Sequence, residues 1–433
     1  MAIVPAPQKP SRVFLFLQGP SSPIFAKIAD RLEERGHICL RINLNAGDRI
    51  FWRRKNGHDY RGRDGDAWHE HVALFMDRHR VTDLVLLGEE RPYHCIAVLA
   101  ATRRGIEISV VEMGYLRPDW LTLERDGMSS NSHFPVDAGQ IIRAAAILPE
   151  PDWKRRYSQS FLAEAGYDLL YNLPNVFLWF LYPHYRRHAL FHPLAEYAGW
   201  IRRLAGGRKR KAEAAALIDN LLAGKTPFFV LPLQLQTDYQ LRAHSPYNDQ
   251  REAIDEVLLS FAGQAPDNAL LVVKIHPLDN GLIDWRAHVN ADAARLGIGE
   301  RVHFLDGGNL NTLLGGCAGL ITVNSTAGLH ALQRGKPVKT LGAAIFDIAG
   351  LTDQATLDRF WGAPTPPDKD LRLAFLRLMA ATIQVRGNFY SRSGTDAGAE
   401  AIAVRLHDRT VNQPGGFVDP PPRQRPAKIS PRR

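Results

Sequence analysis

The chain has 433 residues, 45% of them hydrophobic and 23% charged, a balance that suits a globular protein with room for two domains, each with its own core. Its 3 cysteines, Cys39, Cys95 and Cys317, stand far apart, which excludes a disulfide framework and a CxxC zinc site. The formal net charge of +9 suits a nucleic acid, an anionic membrane surface or an anionic substrate, and without a zinc-finger, RNP or helix-turn-helix pattern no nucleic acid is expected.

The N-terminal Met-Ala-Ile-Val-Pro-Ala-Pro has no cationic stretch leading into an apolar run. No leader is therefore expected, and no run of about 18 apolar residues predicts a transmembrane helix, so the expected place is the cytoplasm. Residues 12–18 form an apolar run ending in Gly19-Pro20-Ser21-Ser22, which reads as a buried strand entering a loop. A helical pattern through Ile24, Phe25, Ile28 and Leu32 follows, then strands at residues 38–42, 83–88 and 107–111. Strands alternating with helices predict a parallel, doubly wound sheet, whose ligands sit at the carboxyl ends of the strands. Residues from about 150 to 215 read as long helices rich in aromatic and basic side chains. A second strand–helix series starts at Phe228 and continues through residues 269–275, 302–305, 319–323 and 339–342. The expected division is an acceptor-side α/β domain over 1–150, a helical connecting segment over 151–225, a nucleotide-sugar-binding α/β domain over 226–412 and a disordered basic tail over 413–433.

Four loops carry candidate chemistry. Lys274-Ile275-His276-Pro277 follows an apolar strand; Lys and His together bind phosphate, and His can protonate it as it leaves, although a lone His-Pro also simply caps a loop. Asn324-Ser325-Thr326 ends another strand before a helical pattern, which is either an anion site or an ordinary N-cap. The two read as ends of consecutive strands, and that pairing is what favours a phosphate site. Asp238, after the strand at Phe228, and Glu112, ending a strand of the first half, supply carboxylates of the kind sugar transfer uses as nucleophile and acid/base; Gly114 would let the backbone turn closely around a ligand. No Asp-x-Asp motif follows an apolar strand, and Gly19-Pro20-Ser21-Ser22 is neither a Walker loop nor a GxGxxG fingerprint, so neither a metal nor a cofactor is expected. The segment 171–188 places Trp, Tyr and Phe beside Arg and His, which suits a membrane interface or a core helix equally.

In order along the chain, Gln18-Gly19-Pro20-Ser21-Ser22, Glu112-x-Gly114-Tyr115-x-Arg117-Pro118, Gln234-x-Gln236-x-Asp238, Lys274-Ile275-His276-Pro277, Asn324-Ser325-Thr326-x-Gly328, Gly335-Lys336-Pro337-Val338 and Asp347-Ile348-x-Gly350-Leu351-Thr352 resemble the capsule polysaccharide β-Kdo transferases of Gram-negative bacteria. The likeness runs from about residue 12 to about residue 360. It implies an α/β, GT-B-like architecture of two Rossmann-like parallel-sheet domains with a helical insert between them. It also implies a retaining transfer of β-Kdo from CMP-Kdo to a (lyso)phosphatidylglycerol acceptor. Carried over, Asp238 matches the nucleophile and Glu112 the acid/base. Lys274, His276, Pro277, Asn324, Ser325 and Thr326 match the donor-phosphate groups. Gln18, Gly19, Pro20, Ser21 and Arg117 fall on the acceptor side. Arg242 or Arg117 suits the donor's sugar carboxylate by charge and loop position. The expected partners are CMP-Kdo, a phospholipid acceptor, the anionic inner face of the cytoplasmic membrane and other capsule assembly proteins. The alternatives are a non-catalytic capsule export or assembly factor, and a transferase using another CMP- or UDP-sugar.

Overall fold

The computed structural model describes residues 10–187 and 189–429; the N-terminal residues read for a leader, His188 and the last residues of the tail lie outside them. The described residues form β1 (Val13–Phe16), β2 (Ile38–Asn43), β3 (Gly57–Asp59), β4 (Asp83–Leu87), β5 (Glu107–Met113), β6 (Trp120–Arg125), β7 (Phe228–Pro232), β8 (Leu270–Lys274), β9 (Val302–Leu305), β10 (Gly319–Thr322), β11 (Val338–Thr340) and β12 (Gln384–Arg386). Helices connect most of them, and the expected α/β class with two parallel-dominated sheets is what the chain forms. β4 and β7 are buried at every position, as continuous apolar runs become when helices cover both sheet faces.

The chain divides into two units, and neither is continuous in sequence. Among the described residues the first unit holds 10–127, 152–187 and 382–413, and the second holds 128–151, 189–381 and 414–429. The first sheet has the order β12-β6-β5-β4-β1-β2-β3. β1 to β5 are mutually parallel, β6 runs antiparallel to β5, and β12 antiparallel to β6. The second sheet has the order β11-β10-β7-β8-β9 and is parallel throughout.

The expected boundaries need three corrections. Residues 382–413 return to the first unit instead of completing the second. β12 pairs with β6, and Ile402, Ala403 and Leu406 of the helix Arg392–Asp408 join the core of Ile24, Ile28 and Leu32. Side chains the size of Ile402 and Leu406 each gain about 1.5–3 kcal/mol on leaving water, so an amphipathic helix packs wherever a matching apolar face is open. Small residues bring it close: a Cβ at Gly398 would stand 2.7 Å from Leu121 Cδ1. The helical segment 151–225 is also divided. The helix Phe161–Phe177 belongs to the first unit, and the helices Pro193–Ala205 and Gly207–Ala223 to the second. The third correction is the tail. Residues 414–429 lie ordered on the second unit: the Phe417 ring stacks on His133 at 4.4 Å, Val418 N–H donates to His133 O at 2.8 Å, and Ile429 N–H donates to Pro246 O at 2.8 Å. Main-chain hydrogen bonds and one ring stack hold a segment whose composition alone reads as disordered.

Candidate functional site

A doubly wound sheet opens a crevice where its strand order reverses, outside the carboxyl ends of the strands. In the second unit the chain builds β7, β8 and β9 outward, then crosses back to β10 on the other side of β7. The reversal lies between β7 and β10. Gln234, just past β7, and Asn324, just past β10, close it reciprocally: Gln234 Nε2 donates to Asn324 Oδ1 at 2.9 Å, and Asn324 N–H donates to Gln234 Oε1 at 3.2 Å. The loop behind Gln234 is fixed in turn. Gln234 N–H donates to Gln250 Oε1 at 2.7 Å, and Gln250 N–H donates to Gln236 Oε1 at 2.9 Å. Asp238 is half-buried and directly precedes the short helix Tyr239–Ala243, where its carbonyl accepts from Arg242 N–H at 3.2 Å. The Arg242 guanidinium lies 5.0 Å from the Tyr239 ring centroid, and its Nη1 is buried without a hydrogen-bond partner.

The loops after β8 and β10 were expected at consecutive strand ends. They are not neighbours: β9 intervenes in sequence, and in space the two strands flank β7. The crossover makes β7 the centre, so its own loop, with Gln234, Gln236 and Asp238, lies between the two. Lys274 is only 3% exposed, and burial pushes its ammonium pKa down while Asp306 works against that shift. His276 is half-exposed at the strand end, and its Nδ1 accepts from Leu278 N–H at 3.1 Å. In the neutral ring that bond puts the proton on Nε2, which becomes a donor. Asp279 anchors the loop, accepting from Trp285 Nε1 at 3.0 Å and Gly281 N–H at 2.8 Å; Pro277 is exposed. Past β10, Ser325 N–H donates to Thr322 Oγ1 at 3.1 Å, and Ser325 Oγ accepts from Ala327 N–H at 3.2 Å. Ser325 thus also does the work of a cap, whereas Thr326 makes no side-chain capping bond. Sequence reasoning missed His244 and Ser130. His244 is fully buried, with Nδ1 2.7 Å from Ser130 Oγ, and its carbonyl accepts from Ala343 N–H at 2.8 Å. Ser130 lies far away in sequence, in a stretch with no strand-end signal.

The first unit reverses between β1 and β4. Gln18, past β1, accepts at Oε1 from Arg91 Nη1 at 3.2 Å and donates from Nε2 to the hydroxyls of Tyr171 at 2.6 Å and Tyr185 at 3.1 Å. The Tyr171 hydroxyl also accepts from Asn45 Nδ2 at 2.9 Å and donates to Asp48 Oδ1 at 3.2 Å. Asp48 is fully buried and pairs with buried Arg41 at 3.0 Å. Burial raises the Asp48 pKa, and Arg41 opposes the shift. A Cβ at Gly47 would come 2.6 Å from Tyr171 O, so only glycine lets the helix Phe161–Phe177 settle here. His94 is fully buried with Nδ1 2.7 Å from Gly88 O, and desolvation, then Arg91, pushes its pKa down to about 3.

Of the acceptor-side residues, Gln18, Gly19 and Pro20 are buried, Ser21 is half-buried and Arg117 is exposed. Glu112, the penultimate residue of β5, is half-buried, with Oε1 accepting from Met113 N–H at 2.9 Å. Gly88, at φ +61°, keeps open the space that a Cβ 3.3 Å from Glu112 Oε2 would take. Gly114 serves the chain and not a ligand: a Cβ there would lie 2.2 Å from Trp120 O, across the turn joining β5 to β6. Tyr390, Glu164 and Asp168 were not anticipated. The Tyr390 pKa is raised by burial first and then by Glu164, Asp168 and Glu112, while Ser21 opposes the shift. Burial also raises the Glu164 pKa, while Gln159 and Arg117 oppose it. Segment 171–187 serves both sides. Tyr171, Tyr182 and Tyr185 bond inward, whereas Phe177, Trp179 and Phe180 are 66%, 65% and 58% exposed. Among the described residues no helix is long and apolar enough to cross a membrane.

Comparison with known proteins adds a family. The family model described as capsule polysaccharide biosynthesis protein matches residues 82–390. The capsule polysaccharide export protein KpsS of Escherichia coli is 32% identical over 381 residues, covering 87% of this chain and 96% of that one. The capsule polysaccharide modification protein LipB of Neisseria meningitidis serogroup A is 33% identical over 383 residues, covering 87% and 91%. Among solved structures, KpsC of Thermosulfurimonas dismutans, a beta Kdo 2,7 transferase, is similar at 14% identity and a TM-score of 0.44, covering 92% of this chain and 99% of that one. The family match and the two relatives together span most of the chain, and the chain belongs to the capsule polysaccharide biosynthesis protein family.

Proposed function

We propose that this protein is a retaining glycosyltransferase that moves β-Kdo from CMP-Kdo to a (lyso)phosphatidylglycerol acceptor, at the start of a capsule linker. One observation carries the reading most. The reversal of the second sheet is closed by the Gln234–Asn324 pair and flanked by a half-exposed His276 that accepts at Nδ1. A neutral imidazole held that way presents an Nε2–H donor, which suits a phosphate oxygen and the leaving CMP. Ser325 and Thr326 add hydroxyls past the next strand over. Lys274 contributes from a buried position, through charge and not through exposed contact.

In the proposed reaction the Asp238 carboxylate forms a bond to the anomeric carbon of Kdo while its bond to the CMP oxygen breaks. CMP leaves, its phosphate stabilised by His276. The acceptor hydroxyl then attacks the same carbon, the ester to Asp238 breaks, and a general base takes the hydroxyl proton, so two inversions retain configuration. The exposed Phe177, Trp179 and Phe180 support docking on an anionic membrane surface, where aromatic rings favour the interface and each nearby cation adds about 1 kcal/mol. That would place the enzyme peripherally on the inner face of the cytoplasmic membrane.

The test is CMP release by the full chain from CMP-Kdo in the presence of dispersed lysophosphatidylglycerol. His276→Ala and Asp238→Asn should each lower the rate by about a hundredfold or more without shifting the thermal midpoint; full rates in both variants would refute the assignment. The Escherichia coli relative is named an export protein, which favours a second reading, a non-catalytic export factor. Such a protein would bind no CMP. Measuring other CMP- and UDP-sugars in the same assay separates the donor alternatives.

A further inference from the structure

The ordered tail brings cations to the loop after β7. Lys428 Nζ donates to the main-chain oxygens of Arg242 and, at 2.7 Å, of Tyr247. Asn248 Nδ2 donates to Ile429 O at 3.1 Å, which pins the end of the strap beside that loop. Further back, Arg423 donates to the carbonyls of Phe134 and Ile345, so the strap is held on both sides of Arg425. Arg425 and Lys428 are exposed, and Arg425 Nη2 donates to Asn131 Oδ1 at 3.3 Å. Desolvation lowers the Lys428 pKa, and the repulsion of Arg242 and Arg425 adds to it; Glu252 is the carboxylate that opposes them. Glu252 Oε2 is itself engaged by Asn248 N–H at 2.8 Å. Glu252 offsets part of the repulsion among these cations, and a bound anion would offset more of it. A buried guanidinium nitrogen without a partner is a further cost, and Arg242 Nη1 is one.

We propose that the C-terminal strap completes an anion site at the carboxyl end of β7, where Arg242, Arg425 and Lys428 together receive a phosphate group. The strap lies outside residues 82–390, the region matched by the family model. Two sources carry such a group: the nucleotide phosphate of the donor, and the phosphodiester of a lipid acceptor. Only the choice between them rests on the glycosyltransferase reading; the site itself does not.

The experiment measures equilibrium binding of three probes to the full chain: inorganic phosphate, CMP, and monomeric dihexanoyl-phosphatidylglycerol. The variants are the single Arg425→Ala, the double Arg425→Ala/Lys428→Ala, and the charge-keeping Arg425→Lys/Lys428→Arg. The double alanine variant should weaken at least one probe by about tenfold or more, and the charge-keeping pair should stay within about threefold of the parent chain. The probe affected identifies the source. Arg425→Ala leaves the main-chain bonds of Lys428 in place and should show part of the loss at an unchanged thermal midpoint. The proposal is overturned if the parent chain binds none of the probes, if the alanine variants bind all of them as the parent does or more tightly, or if the charge-keeping pair loses as much as the alanine pair. Full transfer by His276→Ala alongside a phosphate loss in the double variant would refute the glycosyltransferase site and leave the strap site standing.

Discussion

The two sheets reverse their strand order beside their first strand, and the two crevices hold different things. In the first unit the crevice between β1 and β4 is filled by the chain itself: Gln18 is spent on Tyr171, Tyr185 and Arg91, and Asp48 on Arg41 and Tyr171. In the second unit the crevice between β7 and β10 is closed by a single Gln234–Asn324 pair, and His276 and Asn324 beside it are half-exposed. Backbone topology makes a crevice in each unit, and side-chain content decides its use. A crevice whose polar groups bond to one another serves stability, and one whose strand-end side chains stay half-exposed can serve a ligand.

That contrast breaks most visibly at Asp48. Asp48→Ala would leave Arg41 buried and unpaired, a loss of about 3–5 kcal/mol by urea unfolding, while the folded fraction keeps its CMP affinity. A variant that lost CMP affinity at full stability would move the nucleotide into the first unit. A smaller effect comes from pH. The pKa of His94 is near 3 in the fold against an ordinary 6.5. Between those values the unfolded chain takes up a proton that the folded chain refuses, so the contribution is present above 6.5 and is lost as pH falls toward 3. Going from pH 7 to pH 5 should cost about 2 kcal/mol, and thermal melts of His94→Gln should lack that part of the slope.

The second unit should answer in the opposite currency. Asn324→Ala removes the side-chain acceptor of Gln234 Nε2 while keeping the main-chain bond to Gln234 Oε1, and should weaken CMP binding about tenfold, as loss of one hydrogen bond does, with only a small fall in melting temperature. Titration calorimetry reads it, and unchanged affinity would show that the Gln234–Asn324 lock does not shape the site. The smallest effect is expected from Tyr171→Phe, about 1 kcal/mol of stability and no change in CMP affinity.

Much of this was legible in the sequence because it is local. Apolar runs such as Phe228–Leu231 and Leu84–Leu87 announce buried strands, and the polar residues just after them announce crevice loops. What was not legible depends on long-range order. Nothing in the run of residues says that β10 crosses back past β7, so the loops after β8 and β10 read as adjacent when β7 separates them. The return of the helix Arg392–Asp408 to the first unit depends on which apolar face lies open there. Gly114 read as room for a ligand, yet the near atom is Trp120 O. The aromatic segment 171–188 has one composition and two faces, and only the register of its helix tells Tyr171 from Phe177.

The central claim is that the nucleotide belongs to the reversal of the second sheet and not to that of the first. A crystal structure of the full chain with CMP bound tests it most directly. The account predicts the CMP phosphate within hydrogen-bond distance of His276 Nε2 and the Ser325 hydroxyl. CMP seated instead at Gln18 and Arg91, with Tyr171 and Tyr185 displaced, would contradict it.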